Sequence, residues 1–262
     1  MKKMIVLVLL ICIQSLIFAG GGREDWNLGI SLRGNGNLVT LEKPLSSFES
    51  INISGRATVN FYQSQDYRAV VTVDSNLEEY VRVYTQNGIL NIGTHMGRAY
   101  LFTQYIVDVY CPSISGVSIS GYASFEGRDK IIAPSFRLNI SGFGKINGDF
   151  ECDDFTTNIS GAGEINANVV SNSLSAGVSG SAKMILAGSC KDMEITISGA
   201  GDINGRELQT NNAAIRISGA GNIHIYVLEN LSARVSGSGR IKYRGNPKID
   251  FRGSGSGRVE SE

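Results

Sequence analysis

The sequence predicts an all-β fold: a right-handed parallel β-helix, or β-solenoid, with coils of about 19 residues, preceded by a β-rich N-terminal portion. Three observations predict it. An Ile/Val-Ser-Gly step recurs with its glycine at Gly121, Gly142, Gly161, Gly180, Gly199, Gly219 and Gly237, with a degenerate copy at Gly255 and an isolated early copy at Gly55. From Gly121 to Gly255 the spacings are 21, 19, 19, 19, 20, 18 and 18 residues, the self-similarity of stacked coils. Second, apolar residues fall at fixed parity around each glycine, Ile140, Ile159 and Ile197 two before it and Ile146, Ile165 and Ile203 four after it. Equal parity places both sets on one side of a strand. Third, no segment sustains a 3.6-residue period, and glycine and β-branched residues dominate the repeats.

The elements follow in chain order. Residues 1–21 carry Lys2 and Lys3, the apolar run Met4 to Ile13 and a small-residue exit at Ala19-Gly20-Gly21, the layout of a secretory signal peptide. Cys12 follows bulky Ile11 and comes too early for a lipoprotein cysteine. Residues 22–44 read as an N-terminal linker. Residues 45–115 read as a β-rich part, with alternating runs at Ala57 to Tyr62, Arg68 to Val73, Tyr80 to Thr85, Ile89 to Gly93 and Tyr105 to Tyr110. Gln86-Asn87-Gly88 is a hairpin turn signal, and Leu77 to Glu79 suits one helical turn. Residues 116–262 hold the repeats, whose seven to eight coils at about 4.8 Å each span roughly 35 Å. The charged segment Gly253 to Glu262 is expected to discourage stacking between molecules.

The repeat fixes which side chains face in. Gly144, Gly163, Ala182, Gly201, Gly221 and Gly239 share the inward parity, so a narrow core in which the backbone closely approaches the opposing wall is expected. Outward, three residues after each glycine, stand Lys145, Glu164, Lys183, Asp202, Asn222 and Arg240, which nearly alternate in charge. In parallel register these form a ladder in which each opposite pair contributes about 0.2–1 kcal/mol at best. The motif serines form a hydroxyl stripe, and Asn147, Asn166 and Asn204 a partial asparagine stripe.

Composition narrows the functional classes. Without residues 1–21 the chain keeps its 24 acidic residues and loses two of its 24 basic ones, a net charge of −2 that argues against nucleic acid as partner. No later stretch approaches the roughly 18 to 20 apolar residues of a spanning helix, so no transmembrane helix is expected in the mature chain. The cysteines beyond the leader are Cys111, Cys152 and Cys190, an odd number. Cys152 and Cys190 lie two coils apart, about 10 Å, beyond disulfide reach, and buried free thiols are expected, with a bridge from Cys111 the weaker alternative.

The segments Phe48-Glu49-Ser50-Ile51-Asn52-Ile53-Ser54-Gly55, Val70 to Tyr80, Gly88 to Ile92, Val107 to Pro112 and the following Ser-Gly-Ala-Gly repeats resemble the head GIN domain family, described as autotransporter adhesins. The resemblance covers roughly Leu45 to Glu262. It implies a secreted or envelope-exposed bacterial protein with a repeat-built β-helical domain, and it brings no catalytic motif. Fold resemblance of this kind says more about architecture than about chemistry.

No residue is assigned a catalytic, cofactor-binding or metal-binding role. Ser198-Gly199-Ala200-Gly201-Asp202 is similar to calcium-binding β-helix repeats, but the aspartate position is Lys145, Lys183 or Arg240 in other coils. The glycines of Gly142 to Gly148 and Gly199 to Gly205 miss the dinucleotide spacing by one residue, and no helix follows. Asp149, Glu151, Asp153 and Asp154 read as an exposed corner before they read as a cation site. His95 and His224 have no plausible nucleophile nearby in sequence. Tyr62, Tyr67, Tyr80, Tyr84, Tyr100, Phe102, Tyr105 and Tyr110 read as sheet core and cross-strand pairs, with a glycan- or partner-binding face as the alternative. The expectation is an exported, non-enzymatic scaffold at the periplasm, outer-membrane surface or cell exterior, without cofactor, binding an unknown protein or glycan and capable of homo-oligomerisation. The alternatives are a polysaccharide-processing β-helix enzyme and a structural or sensory component that binds a protein by strand addition.

Overall fold

The computed structural model describes residues 31–262; the leader read at 1–21, with Cys12, lies outside those residues. The described residues are 72% strand and wind into a β-solenoid of about 8 turns with coils of about 19 residues. Each coil carries three strand segments, seen separately in one turn as Tyr122–Gly127, Ile131–Ile132 and Ser135–Ile140. All three pair in parallel with the next long strand, Phe143–Ile159. We call these the leading, middle and trailing sides. Further long strands, Ala162–Val178, Ser181–Ile197, Ala200–Ile217 and Ala220–Val235, stack in parallel in turn, with register shifts only in the pairings of Ala200–Ile217 with its two neighbours.

Corners are written into the parity of burial. On the leading and middle sides of one coil Gly144, Ile146 and Phe150 face in, whereas on the trailing side Phe155, Thr157 and Ile159 do. The switch falls at Asp153, which the ladder to the next coil skips. At the Ser-Gly corner the parity is kept, and the trailing-side Ile packs on the small residue two beyond the motif glycine. A Cβ added to Gly163 would meet Ile159 Cδ1 and Cγ2 at 3.0 Å. The expected close approach is therefore real, but it closes a corner between adjacent sides and does not bring opposing walls together.

The motif glycines themselves form a column in which each rests on the carbonyl of the one before. A Cβ on Gly142, Gly161, Gly180 or Gly199 would lie 2.3, 2.2, 2.0 or 2.1 Å from the preceding motif glycine's oxygen. No Cβ fits there, which is why the step is invariant along the stack.

The early copy at Gly55 is not isolated in space. Ile51, Asn52 and Ile53 pair in parallel with Val117, Ser118 and Ile119, and a Cβ on Gly121 would lie 2.0 Å from Gly55 O. The 66-residue excursion between the two glycines builds the other end of the stack. Ile89–Thr94 and Tyr105–Cys111 add a further coil beneath Ser50–Ile53 and Arg56–Gln63. Antiparallel strands then close it, Val81–Gln86 on one side and Arg68–Asp74 with Leu38–Pro44 on the other. Two corrections to the expected organisation follow. Residues 38–44 of the predicted linker are a sheet strand, and residue 115 is no boundary, because the solenoid pairing runs through 50–63 and 89–111.

Local signals in this part were faithful. Asn87 and Gly88 both have positive φ, 52° and 72°, the backbone of a tight two-residue hairpin between antiparallel strands. The helical turn is a short 3₁₀ turn at Glu78–Tyr80. Asp74, fully buried, ties the cap together by accepting N–H bonds from Gly36 and Thr103, each at 2.8 Å. Burial alone would raise its pKa, but those donors outweigh burial and hold the carboxyl below its usual range.

At the other end the stack finishes on Lys248–Gly253 and Arg258–Ser261. The segment Gly253 to Glu262, read as a charged terminus, thus supplies a strand of the last turn. Ile249 and Phe251 occupy inward columns there and remain 41% and 39% exposed. Glu262 folds back onto a three-residue bulge in the coil beginning at Gly199, taking Arg206 at 2.6–3.1 Å and His224 Nδ1 at 2.6 Å. These hydrogen bonds, from Arg206 first, lower its pKa to about 2.

Candidate functional site

An open groove of about 910 Å³ runs along the outside of the leading side. Two outward columns make its floor. One residue after the motif glycine stand Tyr122 and Phe143, then Ala162 and Ser181; three residues after it stand Lys145, Glu164, Lys183 and Asp202. Phe102, Thr103 and Gln104, from the loop before Tyr105–Cys111, rise at one end as a wall.

Tyr122 and Phe143 distinguish this floor. They are 65% and 66% exposed with ring centroids 6.4 Å apart, and the Arg56 guanidinium lies 5.5 Å from the Tyr122 ring. Sequence reasoning missed both, although the signal was present: the position takes Ala or Ser in later coils, and only these two carry rings. The charge ladder beside them has the expected register, and Lys145 Nζ reaches Glu164 Oε1 at 3.9 Å. Both side chains are about half exposed, so the pair contributes at most about 1 kcal/mol and the ladder remains available to a ligand.

The aromatics singled out from sequence mostly serve the sheet. Tyr105 is buried and donates its hydroxyl to Gly93 O at 2.9 Å, and burial raises its pKa. Phe102 packs on Tyr105 at 5.1 Å and Tyr100 on Phe102 at 6.0 Å. Tyr62 stacks on Tyr110 at 5.1 Å, with Arg68 3.8 Å above the Tyr110 ring. In the predicted asparagine stripe the Asn147 amide bonds along the stack, but to Glu126 of the preceding coil at 2.7 Å and not to an asparagine. A working amide ladder lies on the trailing side, where Asn158 donates to Asn139 at 3.4 Å.

Two members of the acidic cluster are held by separate neighbours. Glu151 pairs with Lys130 at 3.0 Å, and Asp153 accepts from Asn172 at 2.8 Å. Among the described residues no group of three or more His, Cys, Asp or Glu side chains gathers as a metal site. His95 is exposed, and His224 faces Glu262. Cys111, Cys152 and Cys190 are free, with Cys152 and Cys190 each opposite Ser171 and hence two coils apart. Cys152 is only half buried, a departure from the expected burial, while Cys111 and Cys190 are buried. Burial pushes the Cys111 thiol up to about 12 and Cys152 to about 11, which leaves little thiolate at neutral pH.

A family model described as "Putative auto-transporter adhesin, head GIN domain" matches residues 47–247. The chain belongs to this family. Solved structures agree in fold. A Parabacteroides distasonis ATCC 8503 crystal structure described as a "putative lipid binding protein" superposes with a TM-score of 0.84 at 25% identity, covering 89% of this chain and 100% of that one. Two crystal structures described as a "putative adhesin" superpose with TM-scores of 0.81 and 0.76. They come from P. distasonis ATCC 8503 and Parabacteroides merdae ATCC 43184, are 23% and 24% identical, and each covers 89% of this chain and 100% of its own. No curated protein matches the chain in sequence. The family and these two structures are thus both described as "putative" adhesins, and no helix among the described residues is long and apolar enough to cross a membrane.

Proposed function

We propose that this head GIN protein is an exported, non-enzymatic binding module of the bacterial envelope that holds a glycan on the leading-side groove. The exposed Tyr122–Phe143 pair carries the reading. Two aromatic rings left two-thirds exposed on a rigid sheet forgo burial energy that a purely structural position would collect, and their flat faces suit stacking against the C–H face of a sugar ring. The polar ladder beside them supplies hydrogen-bond partners for sugar hydroxyls without a converging acid–base pair. Export to the periplasm, outer-membrane surface or exterior is supported by the leader-like residues 1–21 and by the family's description as adhesins.

The test is a screen of the exported, purified protein on an array of envelope and host glycans, reading retention and released reducing ends together. Retention without release, lost in the Tyr122→Ala/Phe143→Ala double variant, is the expected result. Released fragments would overturn the non-enzymatic reading, and retention indifferent to the double variant would remove the groove from the function.

A further inference from the structure

A different column, on the trailing side, changes character along the stack. Three residues before each motif glycine it carries Asn139 and Asn158, then Gly177, which offers no side-chain donor, then Thr196, and then three arginines in succession, Arg216, Arg234 and Arg252. Arg216 is paired in register with Arg234, and Arg234 with Arg252, so consecutive side chains leave the backbone about 4.8 Å apart. The leading side avoids such like-charge neighbours by alternating Lys145, Glu164, Lys183 and Asp202; directly opposed like charges are unfavourable. Internal acids satisfy only the flanks of the arginine run. Arg216 pairs with Glu194, and Arg252 Nε lies 3.6 Å from Asp250. Arg234, between them, makes no ion pair with any described residue and is exposed.

Two residues further along each strand the serines Ser218, Ser236 and Ser254 form a parallel hydroxyl column. An open furrow of about 480 Å³ lies between the hydroxyl and guanidinium columns. Along the earlier coils a second furrow of about 290 Å³ follows the same two columns, between Asn139 and Asn158 on one side and Ser141 and Ser160 on the other. The trailing side thus presents donors in straight rows, cationic at one end and neutral at the other, repeated at the coil spacing.

We infer that this trailing-side furrow binds a linear acidic polysaccharide. Its carboxylate or sulfate groups lie on Arg216, Arg234 and Arg252, where the planar guanidinium offers paired donors to a planar or tetrahedral oxyanion. Its hydroxyls meet the serine and asparagine columns. The straight run favours an extended polymer over a compact anion, because successive units of one chain can reach Arg216, Arg234 and Arg252, one coil apart, and the serine column beside them. The surface lies on another side of the solenoid from Tyr122 and Phe143, so it stands independently of the groove proposed above.

The experiment measures binding of the exported, purified protein to immobilised polygalacturonate, dextran sulfate and neutral dextran. Binding to one or both acidic polymers and not to neutral dextran is expected, and the stronger of the two identifies carboxylate or sulfate as the anion. The Arg216→Gln/Arg234→Gln/Arg252→Gln variant should lose affinity by about tenfold or more, since hydrogen bonds to charged groups are each worth that much. Circular dichroism checks that it folds, and Arg234→Ser alone, at the unpaired centre of the run, should show a smaller loss in the same direction. The Tyr122→Ala/Phe143→Ala variant should hold the acidic polymer as tightly as the wild type. The inference is overturned by equal retention on neutral dextran, by wild-type affinity in the folded arginine variants, or by loss of binding in the aromatic variant. Displacement by inorganic sulfate as effective as by free polymer would likewise overturn it, as would binding to phosphatidylglycerol vesicles in place of the polymers.

Discussion

Replacing Gly161 by alanine tests the stacking argument where it is most demanding. The new Cβ would lie 2.2 Å from Gly142 O and 2.6 Å from Ser141 O, both backbone atoms of the coil before. Those carbonyls cannot swing aside, because Ser160 N–H donates to Ile140 O and Ala162 N–H to Gly142 O, each at 2.9 Å, on either side of the contact. Relief to an ordinary contact of 3.4 Å or more requires the coils to part by over an ångström locally, stretching both bonds. Overpacking strain of about 1–3 kcal/mol and two weakened hydrogen bonds of about 0.5–1.5 kcal/mol each give a loss near 3–4 kcal/mol. The control is Gly163→Ala, two residues away. The atoms nearest its Cβ are side-chain methyls of Ile159 and Ile140 at 3.0–3.1 Å and not backbone, and the same position is alanine at Ala57, Ala123 and Ala182. Its effect should stay within about 1 kcal/mol of wild type, the lower backbone entropy of unfolded alanine offsetting a small side-chain shift. Urea unfolding followed by circular dichroism measures both, with the transition's amplitude and slope read as well as its midpoint, since a solenoid can unfold in parts. A Gly161→Ala variant within 1 kcal/mol of wild type, or a Gly163→Ala variant equally damaged, would refute coil contact as the reason for the repeat.

Ile165→Asp should abolish folding, because Ile165 is fully buried and a carboxylate there has no partner, whereas Glu164→Lys on the outer face should shift stability by less than about 1 kcal/mol; soluble yield and urea midpoints separate the two. Asp74 and Glu262 both have depressed folded-state pKa values, so their contribution to stability is fully present above their unfolded values near 4 and is lost as pH falls through the folded ones, which for Glu262 is about 2. Urea midpoints of wild type should therefore fall over that window, and those of Asp74→Asn, already lower at neutral pH, should fall less steeply. Of the three thiols Cys152 should react first with a disulfide reagent in the folded state, slowly at pH 7 and faster as pH rises, with Cys111 and Cys190 protected until unfolding; mass spectrometry after timed labelling reads the order, and early labelling of Cys111 would contradict its burial.

The solenoid was legible because its determinants are periodic. The glycine column, the inward isoleucines and the Lys145-Glu164-Lys183-Asp202 ladder all fall at a fixed offset from one motif, so register could be counted without coordinates. Strands between Arg56 and Cys111 were legible from alternation, and the Asn87-Gly88 turn from its backbone requirement. Their partners were not. Alternation reports which face of a strand is buried and is silent on whether the neighbour runs parallel or antiparallel, or lies before or after it in the stack.

By itself, then, the sequence determined the coil length, the inward and outward columns and the close contact at every Ser-Gly corner, because each depends on local parity or on the absence of a Cβ. Only the tertiary structure decided that Gly55 lies under Gly121, with a whole coil and its antiparallel cap inserted between them along the chain. Only it separated the sheet-bound tyrosines from the exposed Tyr122 and Phe143. Both depend on contacts between residues a coil or more apart, whose distances are fixed by how the sides fold around a shared core and not by any spacing along the chain.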